Sequence, residues 1–312
     1  MKKIKYLLSN LFPHDLVVVL FALFLILMNI IFSEKIGHWL MLIFINLFLI
    51  FFVLVVTYID NKYKIKTIHI IRNWYIVLVV LLTFKMLYYM ITPIHGKDYD
   101  EILINLDRMI FGVDPTVWMS KFASPLLTEI VQIAYSSFYF LFIVAGYELF
   151  KNKDYEKFQY AAFVVVYGFY LSYIGYFLLP AIGPRFTLHN FYAINEELPG
   201  LIFTNFLRDF VNFGESITST HPDAAKIVQR DVFPSGHTQL TLVLMYLSSV
   251  YKMKTRYFLW IIGILLIFGT VYLRYHYVID LIAGGIFMVI TIWSAKYIYP
   301  WWNRTRSRIV SS

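Results

Sequence analysis

The sequence contains no cysteine, and only 15% of its 312 residues are charged. The first absence excludes disulfide bonds and thiolate metal sites. The second excludes an ordinary soluble globular domain, in which about 25% of residues are charged. No small-residue cleavage site follows the first apolar run. We therefore interpret that run as a membrane anchor and not as a removable signal peptide.

Apolar residues, by contrast, are abundant: 60% of the chain is hydrophobic and 20% is aromatic. We count about eight apolar runs of roughly the 20 residues that cross a hydrocarbon core. Their apolarity is continuous and not alternating, which favours helices over strands. The sequence thus predicts an all-α, polytopic transmembrane helix bundle. The predicted spans are 16–32, 39–58, 74–92, 126–149, 158–179, 236–251, 257–273 and 277–299.

The net charge is +8, and the positions of the basic residues indicate the membrane topology. Lysine and arginine cluster before the first span and after spans two, four, six and eight. By the positive-inside rule these boundaries are cytoplasmic, so both termini lie inside and the other loops face the periplasmic or exoplasmic side. This distribution argues against nucleic acid as a partner. We divide the chain into N-terminal transmembrane helices (1–92), a catalytic membrane domain (93–299) and a frayed cytoplasmic tail (300–312).

Two outward loops contain apolar residues at helical spacing. In the first, a short amphipathic helix is expected to lie on the outer leaflet and to end at Gly112, with Pro115 beginning the next turn. Its predicted apolar residues are Leu103, Leu106, Ile110 and Phe111. In the second loop, "GLIFTNFLRDFVNFG" could dip into the bilayer as a lid or pack on the helices. The sequence leaves both alternatives open.

Polar residues suited to phosphate binding lie at outward span ends. Arg185 follows a Gly-Pro pair that breaks the fifth span, and its guanidinium can donate two parallel hydrogen bonds to phosphate. "PSGH" places Ser235, Gly236 and His237 at the start of the sixth span. The unpaired amides of a helix N-terminus form an anion site.

The stretch "YHYVID" places His276 and Asp280 four residues apart where the eighth span begins. On a helix they would share one face, and the carboxylate could accept a hydrogen bond from one imidazole nitrogen, leaving the other with a free lone pair. An ionisable pair at the membrane indicates a functional site.

Arg185, His237 and His276 therefore meet at one membrane face as a phosphate clamp, an acid and a nucleophile. A proton-coupled transporter and a zinc hydrolase are alternative hypotheses for the same residues. Transporters place such groups near the midplane and within repeats, neither of which is visible here.

At these residues the sequence resembles the type-2 phosphatidic acid phosphatase superfamily, through "GPR", "PSGH" and "HYVID". "FGVDPT", "PSGHTQ" and "YHYVIDLIAGG" are most similar to the branch that contains inositol phosphorylceramide synthases, with sphingomyelin synthases nearby. The resemblance covers roughly residues 95–295. It implies a six-helix phosphatase-type core and catalysis without a metal or another cofactor.

The resemblance also implies residue roles. His276 would attack phosphorus to form a phosphohistidine, Asp280 would support it, and His237 would protonate the leaving oxygen. Arg185, Ser235 and Gly236 would hold the phosphoryl oxygens.

Two cations of the phosphatases are missing, because Leu178 and Thr270 stand in their places. Lys85 and Arg274 are candidate replacements, and snorkelling to the interface is an equally good interpretation of Lys85.

We therefore expect a lipid phosphotransferase that moves a phosphoryl-alcohol headgroup between phospholipid or sphingolipid substrates. A lipid phosphate phosphatase, acting on phosphatidic acid or polyprenyl phosphate, is the alternative. Glu129 and Gln132, at the start of the fourth span, are further candidate substrate contacts.

Overall fold

The computed structural model describes residues 2–311, and throughout this part of the chain the regular structure is helical. Two short 3-10 helices, Ser120–Phe122 and Phe191–Ala193, accompany the α-helices. The α-helices are α1 (Lys2–Asn10), α2 (Pro13–Ile31), α3 (Trp39–Tyr63), α4 (Lys66–His95), α5 (Asp100–Phe111), α6 (Pro115–Met119), α7 (Pro125–Ser136), α8 (Phe138–Lys151), α9 (Tyr155–Leu178), α10 (Pro184–Thr187), α11 (Ile194–Glu197), α12 (Thr204–Gly214), α13 (Ala224–Ile227), α14 (Gly236–Val250), α15 (Arg256–Tyr272) and α16 (Val278–Ser311).

Every predicted span coincides with a helix or a pair of helices, which confirms the all-α bundle. Among the described residues, α2, α3, α4, α9 and α16 are each long and apolar enough to cross a membrane, and the α7–α8 pair makes a sixth if it is one span. The remaining two spans are shorter, with 15 residues in α14 and 17 in α15. The protein is a multi-pass helical membrane protein.

The faces of α3 show how these helices meet lipid. Phe44, Phe48 and Phe51 are exposed on one side, whereas Asn46 on the other side is buried and donates to the Leu42 carbonyl at 2.8 Å. Water would favour the opposite arrangement, so the exposed phenylalanine side is the lipid-facing one.

α4 begins eight residues before the predicted third span, which stopped short of the basic residues. Arg72 lies inside this helix and is buried, because Asp15 and Asp60 pair with it at 3.2 and 3.0 Å. A charge compensated in this way need not end an apolar helix.

The predicted fourth span is broken, since α7 and α8 meet at an angle of 53°. Ser137 lies at the break, and its hydroxyl donates to the Ala134 carbonyl at 2.7 Å. A side chain that bonds to the preceding turn competes with the helical ladder and bends the helix.

At the C-terminus the expectation of a frayed tail is wrong for the described residues, because α16 continues to Ser311 with Pro300 inside it. Met1, which begins the predicted N-terminal segment, lies outside the residues that the structure describes. Residue 312, which ends the predicted tail, also lies outside them.

Contacts divide the chain into two compact units. The first unit combines 1–94, 153–170 and 290–312, and the second combines 95–152 and 171–289. In the first unit α2 packs on α3, and in the second α15 packs on α7 and α14. The second unit contains the GPR, PSGH and HYVID stretches. The division at 92 and 299 stays a prediction.

Candidate active site

The start of α14 is built around Ser235 and Gly236. The Ser235 hydroxyl accepts from the Thr238 amide at 3.2 Å, which caps the helix, and the Ser235 amide donates to the Asp280 carbonyl at 3.0 Å. A Cβ at Gly236 would lie 2.5 Å from the Tyr176 hydroxyl, so this close approach requires glycine. The predicted helix N-terminus is thus present and tied to α16.

The His237 ring is held between aromatic rings. It stacks on Tyr135 with 4.7 Å between centroids and contacts Phe138 at 4.4 Å. Tyr135 also stacks on Tyr275, with centroids 4.4 Å apart and ring planes 6° apart. Because Tyr135 and Phe138 flank Ser137, the bend between α7 and α8 presents both rings to His237.

His276 lies in a tight turn between α15 and α16. Arg274 adopts the left-handed conformation with a φ of 68°. The amides of Tyr275 and His276 both donate to the Thr270 carbonyl at 2.9 Å. This arrangement closes the C-terminus of α15 and fixes the backbone that carries His276.

The imidazole of His276 is oriented by a backbone carbonyl. Its Nδ1 lies 2.9 Å from the Val232 carbonyl oxygen and 3.5 Å from Asp280 Oδ2. A carbonyl oxygen only accepts, so in the neutral ring Nδ1 carries the proton and Nε2 has the free lone pair.

His276 and Asp280 are neighbours as expected, but His276 lies outside the helix, because α16 begins at Val278. Asp280 Oδ2 instead accepts from the Tyr277 amide at 2.8 Å, as an acidic residue in the first turn does for the helix cap. Asp280 therefore acts on His276 as a near neighbour and through the cap that follows it.

Burial lowers the pKa of His276 well below its usual range, and His237 and Arg185 lower it further. The ring is therefore neutral at physiological pH, which is the form that keeps a lone pair on Nε2. The rings of His237 and His276 have centroids 5.7 Å apart and planes 62° apart. This separation allows both rings to contact one phosphoryl group.

Arg185 is buried beside the same turn. Its amide donates to the Arg274 carbonyl at 3.0 Å, and its guanidinium lies 4.8 Å from the Tyr275 ring centroid. The guanidinium donates to Asn212 Oδ1 at 3.1 Å and forms an ion pair with Glu215. The structure thus brings Arg185 to the site together with a carboxylate that partly neutralises it.

Arg274 contributes its backbone to the site, while its side chain is engaged elsewhere. The guanidinium pairs with Glu197 and donates to Ser120 Oγ at 3.2 Å. Burial, together with the charge of Arg274, lowers the pKa of His189 to about 4. The guanidinium therefore connects the segments that contain Glu197 and Ser120. The substrate contact predicted for it stays a prediction.

Glu129 anchors a loop. Its carboxylate accepts from the amides of Leu201 at 2.8 Å and Phe203 at 2.6 Å, and from the Thr204 hydroxyl at 2.6 Å. These bonds account for the carboxylate without a substrate, and its predicted substrate contact also stays a prediction.

Gln132 and Lys85 are the two other candidate contacts. Gln132 is buried, donates to Ser136 Oγ at 3.3 Å and leaves its Oε1 without a hydrogen bond. Lys85 lies on α4 in the first unit. A substrate role for either residue stays a prediction.

Sequence reasoning missed two buried carboxylates on α5. Asp107 accepts from the first amides of α16, at 2.9 Å from Val278 and 2.8 Å from Ile279. Asp100 accepts from the Gly183 amide and the Tyr277 hydroxyl, both at 2.8 Å. The signal was their seven-residue spacing, which places both acids on one face of a helix.

That face is turned toward the protein, and the predicted short amphipathic helix is present, while its placement on the outer leaflet stays a prediction. Leu103 is buried between the two aspartates, whereas Ile110 and Phe111 are exposed. The helix still ends at Gly112, whose φ is 71°, and Pro115 begins α6 as predicted.

Within residues 2–311 no group of three histidine, aspartate or glutamate side chains could hold a metal ion. No curated protein and no solved structure is significantly similar to the chain. The family model described as PAP2 superfamily matches residues 101–294, more than half of the sequence, and this range includes Arg185, His237 and His276. The chain therefore belongs to the PAP2 superfamily, whose members are phosphoesterases or phosphotransferases.

Proposed function

We propose that the protein is a lipid phosphotransferase that moves a phosphoryl-alcohol headgroup from a phosphodiester lipid to the hydroxyl group of a second lipid. The observation that carries this proposal is the orientation of His276. The bond from Nδ1 to the Val232 carbonyl leaves Nε2 as the nucleophilic nitrogen, and the ring faces His237 across 5.7 Å.

In the first half-reaction Nε2 of His276 forms a bond to phosphorus with its lone pair, and the bond between phosphorus and the donor lipid oxygen breaks. Protonated His237 gives its proton to that leaving oxygen. In the second half-reaction His237 takes the proton of the acceptor hydroxyl. The acceptor oxygen then bonds to phosphorus, and the nitrogen–phosphorus bond breaks, which restores both histidines.

Arg185 and the N-terminus of α14, with Ser235 and Gly236, would stabilise the charge that develops on the phosphoryl oxygens. Groups of this kind supply about 100- to 1,000-fold each in rate. The reaction needs no metal, because the charge is met by a guanidinium and by helix amides.

The charge of the site supports a phosphodiester donor over a phosphate monoester. Arg185 is paired with Glu215. At the two positions where the phosphatases have cations, Leu178 is 69% exposed, and the Thr270 hydroxyl donates to the Ile267 carbonyl at 2.7 Å. A site with so little net positive charge suits a monoanionic diester better than a dianionic monoester.

We further propose that this site lies at the periplasmic or exoplasmic face, with both termini cytoplasmic. The distribution of lysine and arginine supports this topology. The motifs in "FGVDPT" and "PSGHTQ" favour the inositol phosphorylceramide synthase branch of the superfamily, and hence a sphingolipid or diacylglycerol acceptor.

The test uses protein purified into nanodiscs, a panel of phospholipids labelled in the headgroup phosphate, and ceramide or diacylglycerol as the acceptor. We expect a new labelled lipid that forms only with an acceptor. His276→Ala should lower the rate more than about 1,000-fold, because it removes the nucleophile. His221→Ala is the matched control, since this loop histidine only accepts from the Asp223 amide at 3.1 Å.

Two outcomes would contradict the proposal. Release of a water-soluble labelled phosphate while an acceptor is present would indicate a hydrolase. Turnover retained in His276→Ala would remove the nucleophile assignment, whereas a labelled, acid-labile and alkali-stable enzyme adduct in the wild type would support it.

A further inference from the structure

The apolar side chains of α12 are exposed and its polar side chains are buried, which is the reverse of the arrangement in a water-soluble helix. Phe206, Phe210 and Phe213 are 70%, 60% and 74% exposed. Thr204, Arg208 and Asn212, on the other side, are buried. Phe203 extends the phenylalanine face at the helix start, and the exposed Asp209, which accepts from Ser219 Oγ at 2.7 Å, lies at its edge.

The buried polar face of α12 is held by neighbouring loops of the second unit. Arg208 pairs with Asn195 and donates to the Leu198 carbonyl at 3.1 Å. The loop before the helix is fastened to Glu129 through the Leu201 and Phe203 amides. α12 is therefore fixed in its orientation, with the phenylalanines turned away from the protein.

The same helix holds the phosphate-binding arginine. Asn212 Oδ1 accepts from Arg185 at 3.1 Å, and Glu215, which directly follows the helix, forms an ion pair with it. The position of α12 thus determines the position of the guanidinium.

The surroundings of the phenylalanine face indicate what covers it. α12 packs on α7, and Glu129 lies in the second turn of that helix. The outer side of α7 exposes Leu126, Ile130 and Ile133, which form part of its lipid-facing surface. α5 is inverted in the same way, with buried aspartates and exposed apolar residues. Apolar faces in continuity with the lipid-facing surface of a span belong at the membrane interface.

We propose that α12 inserts Phe203, Phe206, Phe210 and Phe213 into the lipid interface at the end of the bundle that carries His237 and His276, and that this insertion holds Arg185 in place through Asn212 and Glu215. The claim that insertion holds Arg185 in place rests on the phosphate-binding role proposed for Arg185. The claim that α12 inserts into the lipid interface does not depend on that role.

The first experiment measures where the face lies. Because the chain has no cysteine, a single spin label can be placed by Phe210→Cys or, as a matched control on a polar exposed position, by Asn205→Cys. In nanodiscs we expect the label at 210 to collide more with oxygen than with a water-soluble nickel complex, and the label at 205 to show the reverse.

A label at 210 that is reached mainly by the nickel complex would overturn the insertion. A label that neither reagent reaches would also overturn it, because a second copy or a partner protein would then cover the face. Neither result depends on turnover, so this experiment can fail while the proposed transferase activity stands.

The second experiment measures coupling to the site. Phe206→Ser combined with Phe210→Ser should lower kcat/KM for long-chain lipid in nanodiscs at least 10-fold. The same loss should appear with a soluble short-chain phosphodiester, since Arg185 is no longer held. Asn205→Ser is the control. An unchanged kcat/KM for the short-chain substrate would refute the coupling. A spin label placed by Phe213→Cys in the same double variant would report whether the helix has left the interface.

Discussion

His276 depends on two acceptors of different strength. The Val232 carbonyl lies 2.9 Å from Nδ1 and fixes the tautomer, while Asp280 Oδ2 lies 3.5 Å away and accepts from the Tyr277 amide. A backbone carbonyl only accepts, so the neutral ring keeps its proton on Nδ1 and its lone pair on Nε2. In its ionised form Asp280 would stabilise the cationic phosphohistidine.

The pH dependence of turnover should report this neutral imidazole. His276 must be unprotonated to attack, and burial lowers its pKa well below the usual value of about 6.5. We therefore expect the acid limb of kcat/KM, which reports His276, to lie below about pH 6.5, and any basic limb to report the loss of the proton that His237 must donate. The measurement is kcat/KM between about pH 4 and 8 in nanodiscs, with a phosphodiester donor that does not titrate in this range.

The sign of the linked stability change is fixed by the same shift. The unfolded chain binds the proton of His276 at a higher pH than the folded protein does. Stability from this residue is therefore lost as the pH falls through the unfolded value of about 6.5. An acid limb at or above that value would contradict a neutral nucleophile held by burial.

α5 is the element that connects the catalytic loops. Asp107 accepts from the first two amides of α16, and Asp100 accepts from the GPR loop and from Tyr277. Carboxylates at the N-terminus of a helix satisfy its free amides and complement its dipole. One short helix thereby sets the positions of the loop before Arg185 and of the turn after His276.

Removal of the Asp107 carboxylate should show whether this residue positions the His276 turn or contributes to substrate binding. Asp107→Ala frees two buried amides of α16, which should lower the free energy of unfolding by about 1–2 kcal/mol. The displaced turn should lower kcat by up to about 100-fold while KM stays near its wild-type value. Steady-state kinetics and thermal unfolding of the purified variant give these quantities.

Asp107→Asn keeps one acceptor and should recover part of kcat. Glu101→Ala on the same helix is the control, because that side chain is exposed. Equal losses in the two alanine variants, or a change confined to KM, would argue against the positioning role of Asp107.

The span helices and the motif residues were predictable from the sequence because each depends on a local pattern. Continuous apolar runs give α2, α3 and α9, and Pro-Ser-Gly gives the start of α14. The acceptor of His276 was not predictable, since the Val232 carbonyl is 44 residues away and has no side-chain signature. Long-range contacts of this kind depend on how loops pack and not on periodicity.

The buried faces of α5 and α12 were not determined by the sequence for a related reason. Amphipathic periodicity identifies a helix with two faces, but it does not determine which face is buried. In water the apolar face is buried, whereas beside a membrane the polar face can be. Asp107 and Asn212 reveal the orientation only through their partners on α16 and at Arg185.

At the scale of the whole molecule, the first unit is assembled from three separate stretches of chain. Phe21 stacks on Tyr170 with 4.1 Å between ring centroids, and the Trp302 indole donates to the Leu11 carbonyl at 3.0 Å. The N-terminal helices thus share a core with the end of α16. The predicted boundary at residue 92 lies close to residue 94, where the first of these three stretches ends.

Arg72 is the polar centre of the first unit. Its guanidinium pairs with Asp15 and Asp60, donates to the Asn10 carbonyl at 2.5 Å and lies 3.7 Å from the Phe12 ring centroid. It therefore joins α3 and α4 to the connection between α1 and α2. Removal of one partner from a buried ion pair leaves an uncompensated charge in the apolar interior.

Arg72→Met should therefore lower the free energy of unfolding by about 3–5 kcal/mol, because Asp15 and Asp60 lose their shared cation. Lys62→Met is the matched control, since Lys62 lies on α3 and is exposed. Thermal unfolding of the two variants is compared in one detergent, and the loss of the monodisperse peak is the measured signal. Equal melting temperatures would show that the ion pairs of Arg72 do not hold the N-terminal helices to one another, and that apolar packing alone assembles the unit.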